Sequence, residues 1–164
     1  MASESTAARA AKKPFLPPRW FIRTAWRIHR ALYRVTGGRF GLRRPNDKTY
    51  GLMRVVTIGR RSGVERPVML GYFEDGANLV TMAMNGWGAP EPAWWLNVQA
   101  HRDVTIDLVG ETRRSTGRAA TGAERERLWA RWQEIDRNLD DYAARRPTET
   151  AVVVFESQPG DQAT

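Results

Sequence analysis

The sequence predicts a mainly β, α+β domain closed as a small antiparallel or mixed barrel. Five or six short β-branched segments are joined by hairpin-type links, one packed helix comes late, and no βαβ alternation occurs. A doubly wound dinucleotide fold is disfavoured, because no G-x-G-x-x-G follows a strand.

Residues 1–18 read as a disordered tail, rich in Ala, Ser, Thr and Lys and punctuated by Pro17-Pro18. From Arg19 to Val35 the period becomes helical: Phe21, Ala25, Ile28, Leu32 and Val35 fall on one stripe, and Arg23, Arg27, Arg30 and Arg34 on another. Gly37-Gly38 ends that helix, and a connector runs to residue 50. Strands are expected at 54–58, 67–73, 79–84, 104–109, 112–118 and 151–155, with hairpins at Asp75-Gly76 and Gly110. Pro92 opens a short helix, 93–100. Thr121 and Glu124 have the spacing of a capping box before a longer helix, whose apolar face is Leu128, Trp129, Trp132 and Ile135. The barrel domain is thus expected over 51–157, followed by a frayed tail, 158–164.

The chain of 164 residues has no cysteine and only two histidines, His29 and His101. Disulfides and thiolate metal sites are excluded, and nitrogen-rich zinc or iron sites and Ser-His-Asp chemistry are poorly supplied. The net charge of +8 is uneven: residues 1–50 hold 12 Lys/Arg against Glu4 and Asp47, or +10, and the remainder sums to −2. A basic end suggests contact with something anionic. For the helix at 19–35 the readings are a solvated cover over one barrel opening, a peripheral membrane contact, or a nucleic-acid arm, which no nucleic-acid module supports. No apolar run approaches a membrane span and no secretory core is present, so a cytoplasmic protein is expected, with the inner membrane face as an option.

Two segments can carry chemistry. In the first, a strand enters the turn Gly59-Arg60-Arg61-Ser62-Gly63, and Arg66-Pro67 starts the next strand. Glycines let backbone N–H groups approach an anion, Ser62 offers a hydroxyl, and guanidinium forks match phosphate oxygens. A solvated basic hairpin turn is the competing reading. In the second, Ala83 to Asn97, a strand passes through a Gly/Pro-rich stretch into a tryptophan-bearing helix start, a setting suited to a planar ligand. Asn85 and Asn97 can hydrogen-bond a ring edge or a ribityl hydroxyl. Trp94 and Trp95 as core aromatics, with Asn97 as a helix-to-loop tie, is the alternative.

Taken in order, these segments resemble the deazaflavin (F-420)-dependent nitroreductase, or quinone reductase, family. The resemblance rests on the turn from Thr57 to Arg66, the Asp75-Gly76 hairpin, the block from Ala83 to Asn97, and Gly122, Glu124, Arg125 and Trp129 of the later helix. Leu32 to Arg39 is also similar to the family's N-terminal region. The resemblance implies a split β-barrel of the FMN-binding kind that holds the deazaflavin coenzyme F-420, with FMN as the alternative. It implies that the coenzyme's phosphate and acidic tail lie along Arg60, Arg61, Ser62, Gly63, Arg66 and Pro67. Its ring is implied near Val68, Met84, Asn85, Trp94 and Asn97. Hydride transfer asks the protein mainly for orientation and electrostatics, which suits a chain without an acid–base constellation.

Departures lie on the substrate side. The family's tyrosine-rich pattern there is reduced to Tyr142, with Asp136 and Leu139 at two other positions, and Met84 and Asn85 replace a serine and a lysine. Tyr142 is the candidate donor to a substrate oxygen. The expected activity is reduction of a hydrophobic quinone, nitro or enone compound. A coenzyme carrier without catalysis is the second reading, and a basic-arm nucleic-acid binder the third. The oligomeric state stays open, a dimer included.

Overall fold

Alternation decides which side of each strand meets the core. In the computed structural model, which describes residues 41–85, 88 and 90–158, β1 (Gly51–Ile58) buries Met53, Val55 and Thr57 and leaves Leu52, Arg54, Val56 and Ile58 half-buried. That is the period-two signature of a one-sided strand. β2 (Glu65–Asp75), β3 (Asn78–Met82), β4 (Asp103–Leu108), β5 (Glu111–Ala119) and β6 (Val152–Ser157) follow. They close as a barrel in the order β1-β2-β3-β6-β5-β4, every pairing antiparallel. Closure leaves no free sheet edge. The expected mainly β barrel is therefore what the chain forms.

Two clusters divide the core. Met53, Val55, Leu70, Tyr72, Leu79, Val104, Ile106, Val153 and Phe155 fill the barrel, joined by Trp94, Trp95 and Val98 of α1 (Ala93–Ala100). Phe73, Val80, Met82, Val152 and Val154 belong to the second, with Leu128 and Trp132 of α2 (Gly122–Ile135) and Leu139 of α3 (Leu139–Ala143). Neighbouring residues of one strand, such as Tyr72 and Phe73, thus serve different clusters. Burying Leu128 contributes about 1.5–3 kcal/mol, whereas the gain from Trp132 is offset by its buried, unpartnered Nε1. The expected apolar face of the late helix holds, with Trp129 and Ile135 half-buried at its margin.

Three local expectations change. Thr121 is the N-cap of α2, but its side chain makes no capping bond. Glu124 instead accepts both Nη groups of Arg118, at 2.6 and 2.8 Å, because a bidentate charged pair outcompetes a neutral N–H. Pro92 is the N-cap of α1 rather than its first helical residue. The turn of helix at α3 carries no amphipathic period long enough to announce itself; it is held by Leu139, fully buried, and by Asp140, which accepts from Trp129 Nε1 and Gln133 Nε2. The helix expected at 19–35 lies outside the described residues.

Candidate functional site

The β1–β2 connection is built around Gly59. Its carbonyl accepts the N–H groups of Ser62 (3.1 Å) and Gly63 (2.8 Å), and its own N–H donates to Val64 O (2.9 Å). A Cβ on Gly59 would lie 2.7 Å from Ser62 Oγ and 3.2 Å from Val64 O, so a larger residue would displace that hydroxyl and crowd the turn. Gly63 takes φ 65°, the left-handed region that glycine enters without strain. This tight bend pushes Arg60, Arg61, Ser62 and Gly63 to the surface, with Arg66 exposed beside them.

Register places the rest of β2. Arg66 is opposite Thr57, Val68 opposite Val55 and Leu70 opposite Met53, so Arg66 stands on the inward-facing row at the barrel's rim. Val68, half-buried, packs against the interior cluster that includes Trp94. Pro67 is on the opposite face of β2, paired with Val56.

α1 closes over this rim. No side chain caps its start, and its first turn has no acid and its last turn no base, so tertiary contacts must hold it. Trp94 and Trp95 are buried, their rings edge-to-face with centroids 6.2 Å apart. Asn97 is buried too. Its Oδ1 accepts from Arg60 N (3.2 Å) and Arg60 Nη1 (3.4 Å), and its Nδ2 donates to Thr57 Oγ1 (3.1 Å). Thr57 Oγ1 in turn donates a hydrogen bond to Arg66 O at 3.1 Å. The amide of Asn97 is therefore spent on the turn, as the helix-to-loop tie. Backbone anion binding is limited in the same way: the N–H groups of Arg60, Ser62 and Gly63 are already committed. Recognition at this turn falls mainly to side chains. Ser62 Oγ accepts from Val64 N (3.4 Å) and Arg66 Nη2 (3.5 Å), which leaves its hydroxyl hydrogen to donate.

The arginines differ in their partners. Arg54, Arg113, Arg118, Arg125, Arg127, Arg131 and Arg146 each hold a carboxylate. Arg60, Arg61 and Arg66 hold none among the described residues. Arg60 and Arg61 on the turn and Arg66 at the start of β2, beside the exposed Glu65, leave a net positive field open to solvent.

The remaining candidates lie elsewhere. Met84 is half-buried and packs on the second cluster, beside α2 and α3, and not with Val68 and Trp94. Asn85 is exposed just beyond it. Tyr142, on α3, packs against the same cluster as Met84, and the Arg145 guanidinium stands 5.6 Å from its ring centre. The turn and α1 are thus brought together, and Met84 and Tyr142 share a different flank of the barrel.

Sequence reading missed Glu91 and Arg146. The Arg146 side chain is fully buried; Nη2 donates to Glu91 Oε1 (2.7 Å), and Nη1 to Ala83 O (2.6 Å) and Thr150 Oγ1 (3.0 Å). In Arg145-Arg146-Pro147 nothing local distinguishes the buried arginine from its exposed neighbour. No group of three or more metal-ligating side chains occurs, and no helix is long and apolar enough to cross a membrane, among the described residues.

Comparison with known proteins follows the same outline. An F-420H(2)-dependent quinone reductase of Mycobacterium tuberculosis is 34% identical over 82 residues, which are 50% of this chain and 54% of that protein. The chain spans about half the length of the curated relatives it matches. Among solved structures, one described as a domain-swapped dimer is 25% identical with TM-score 0.63, covering 85% of this chain and all (100%) of the other. An F-420-H2-dependent reductase (FDR-A) is 24% identical with TM-score 0.59, covering 71% of this chain and 100% of the other, and shares the fold. A family model described as F-420H(2)-dependent quinone reductase matches residues 25–157. The chain belongs to the F-420H(2)-dependent quinone reductase family.

Proposed function

We propose that the chain binds the deazaflavin coenzyme F-420 at the β1–β2 turn and α1 and transfers a hydride from its reduced form to a hydrophobic electrophile, a quinone first. The observation that carries this reading is the grouping of Arg60, Arg61 and Arg66 around one bend, none of them in an ion pair with a carboxylate among the described residues. Three guanidinium groups without a carboxylate partner, each with N–H donors left over, suit a phosphate and an acidic tail. Family membership supports the same ligand.

When bound, the coenzyme supplies the hydride; the protein supplies position and field. In this reading Arg60, Arg61 and Arg66 bind the acidic part, with Ser62 donating its hydroxyl. Asn97 holds the turn in place, and Trp94 and Val68 form an apolar wall on the ring side. Asn85 is assigned to the polar edge of the ligand. Tyr142, half-buried on the flank it shares with Met84, serves as hydrogen-bond donor only to an electrophile that extends from the ring side to that flank. A hydride and one proton from solvent convert a quinone to its hydroquinone, so no further oxidant or reductant is needed.

Two finer elements belong to the same proposal. The +10 charge of residues 1–50 favours contact with an anionic membrane surface, where lipid-soluble quinones reside. The likeness to a domain-swapped dimer favours a dimer. Turnover of a quinone such as menadione, followed through oxidation of the reduced coenzyme, tests the reaction. Coenzyme oxidation dependent on protein and quinone is expected; tight coenzyme binding with no turnover on quinone, nitro or enone acceptors would leave a carrier.

A further inference from the structure

The buried Arg146 and the half-buried Glu91 form an ion pair that joins three parts of the fold. Glu91 immediately precedes the N-cap of α1, and the Arg146 guanidinium reaches Ala83 O at the end of β3 and Thr150 Oγ1 just before β6. Thr148 Oγ1 donates weakly to the same Glu91 oxygen, at 3.4 Å. The pair is not fully satisfied: Glu91 Oε2 and Arg146 Nε are both buried without a hydrogen-bond partner.

An ion pair of this kind is a poor device for stability alone, because desolvation offsets the attraction and apolar side chains of equal volume pack without that cost. One unsatisfied donor and one unsatisfied acceptor add to the cost. What the pair does supply is direction. A planar guanidinium with fixed partners just after β3 and just before β6 allows Glu91 one position, and Glu91 fixes where α1 begins. The helix needs such a fix, since it has no side-chain cap and no charged residue in its first turn. Its other end is tied by Asn97 to Thr57 and Arg60. α1 is therefore pinned at both ends, by an ion pair at its start and by an amide near its finish.

We infer that Glu91 and Arg146 are positioning residues that set α1, and through Asn97 the arginine turn, in the geometry that receives the coenzyme. This rests on the coenzyme reading above and goes beyond it in assigning a role to a pair that touches neither the turn nor the ring side.

The experiment compares the full chain with the double variant Glu91→Met/Arg146→Met, an apolar pair of similar bulk, and with Glu91→Gln alone. Thermal unfolding, amide hydrogen exchange of residues 93–100 and of β1 and β2 without coenzyme, and F-420 affinity are read in parallel. A positioning role predicts that the double variant still folds, with a lower melting point because Ala83 O and Thr150 Oγ1 lose their donor. It also predicts that the variant exchanges α1 amides faster while β1 and β2 amides keep parent-like exchange, and binds F-420 at least about tenfold more weakly, as misplacement of a site entails. If the double variant does not fold, Glu91→Gln decides, with faster α1 exchange and weaker binding expected. Parent-like α1 exchange and F-420 affinity in the folded variant would overturn the inference. A parent protein that itself fails to bind F-420 would sink the coenzyme reading; the exchange data would then still report whether the pair sets α1.

Discussion

Asn97 Oδ1 accepts the backbone N–H of Arg60 at 3.2 Å while its Nδ2 donates to Thr57 Oγ1 at 3.1 Å. One buried amide thereby fastens the helix that carries Trp94 to the turn that carries Arg60 and Arg61. Replacing it with alanine leaves Thr57 Oγ1 and Arg60 N without these partners, at a cost of about 1–3 kcal/mol. Asn97→Ala is expected to lower stability by that amount in urea unfolding and to weaken F-420 binding although every arginine remains. Asn97→Asp keeps an acceptor for Arg60 and loses the donor to Thr57, so it should fall between. Binding unchanged in both variants would separate the helix from the site.

Gly117 on β5 receives Val98 of α1 at a distance only glycine permits: an added Cβ would stand 2.6 Å from Val98 Cγ1 and 3.0 Å from Phe155 Cε1. Both neighbours are fully buried. Overpacking of this sort costs about 1–3 kcal/mol. Gly117→Ala should therefore lower the midpoint of unfolding and displace α1, with coenzyme affinity reduced as well. Gly117→Ala combined with Val98→Ala makes room and should recover much of the lost stability; no recovery would place the strain elsewhere.

Tyr72 gives the alkaline limit. Its ring fills the barrel interior, and burial, aided by Glu74, pushes the phenol up to about 12 from 10.0. The neutral form is favoured in the fold. Below pH 10 the phenol is protonated in both states and the contribution is fully present. Between 10 and about 12 the unfolded chain loses the proton first, so stability falls as pH rises through that window. Unfolding measured from pH 9 to 12 should show this loss in the parent and a smaller one in Tyr72→Phe, on an approximate pH scale set by those two values. Superimposable curves would contradict the assignment.

Much of the fold could be read from pattern. Met53, Val55 and Thr57 alternate with outward residues, and Asp75-Gly76 and Gly110 mark turns that do take positive φ at Gly76 and Gly110. These signals are local, so sequence carries them. The site was legible in part: the turn and α1 are contiguous stretches with their own chemistry. What joins them is not. Asn97 is spent on Arg60, 37 residues away, and Arg146 on Glu91, 55 residues away; such partners are chosen by barrel closure, which no local period encodes. The same holds for Glu124, whose capping-box spacing was overruled by Arg118 on a neighbouring strand. Met84 and Val68 illustrate the converse, since two residues expected beside one ring pack on different clusters.

The account turns on Arg60 and Arg61 as the charges that hold an acidic coenzyme. Fluorescence titration of F-420 into the parent and Arg60→Ala/Arg61→Ala, at low and high salt, tests this directly. Charged hydrogen bonds contribute roughly 1.5–3 kcal/mol each, so the predicted result is binding by the parent that weakens with salt and at least about a tenfold loss in the folded variant. Equal affinity in parent and variant, insensitive to salt, would contradict it.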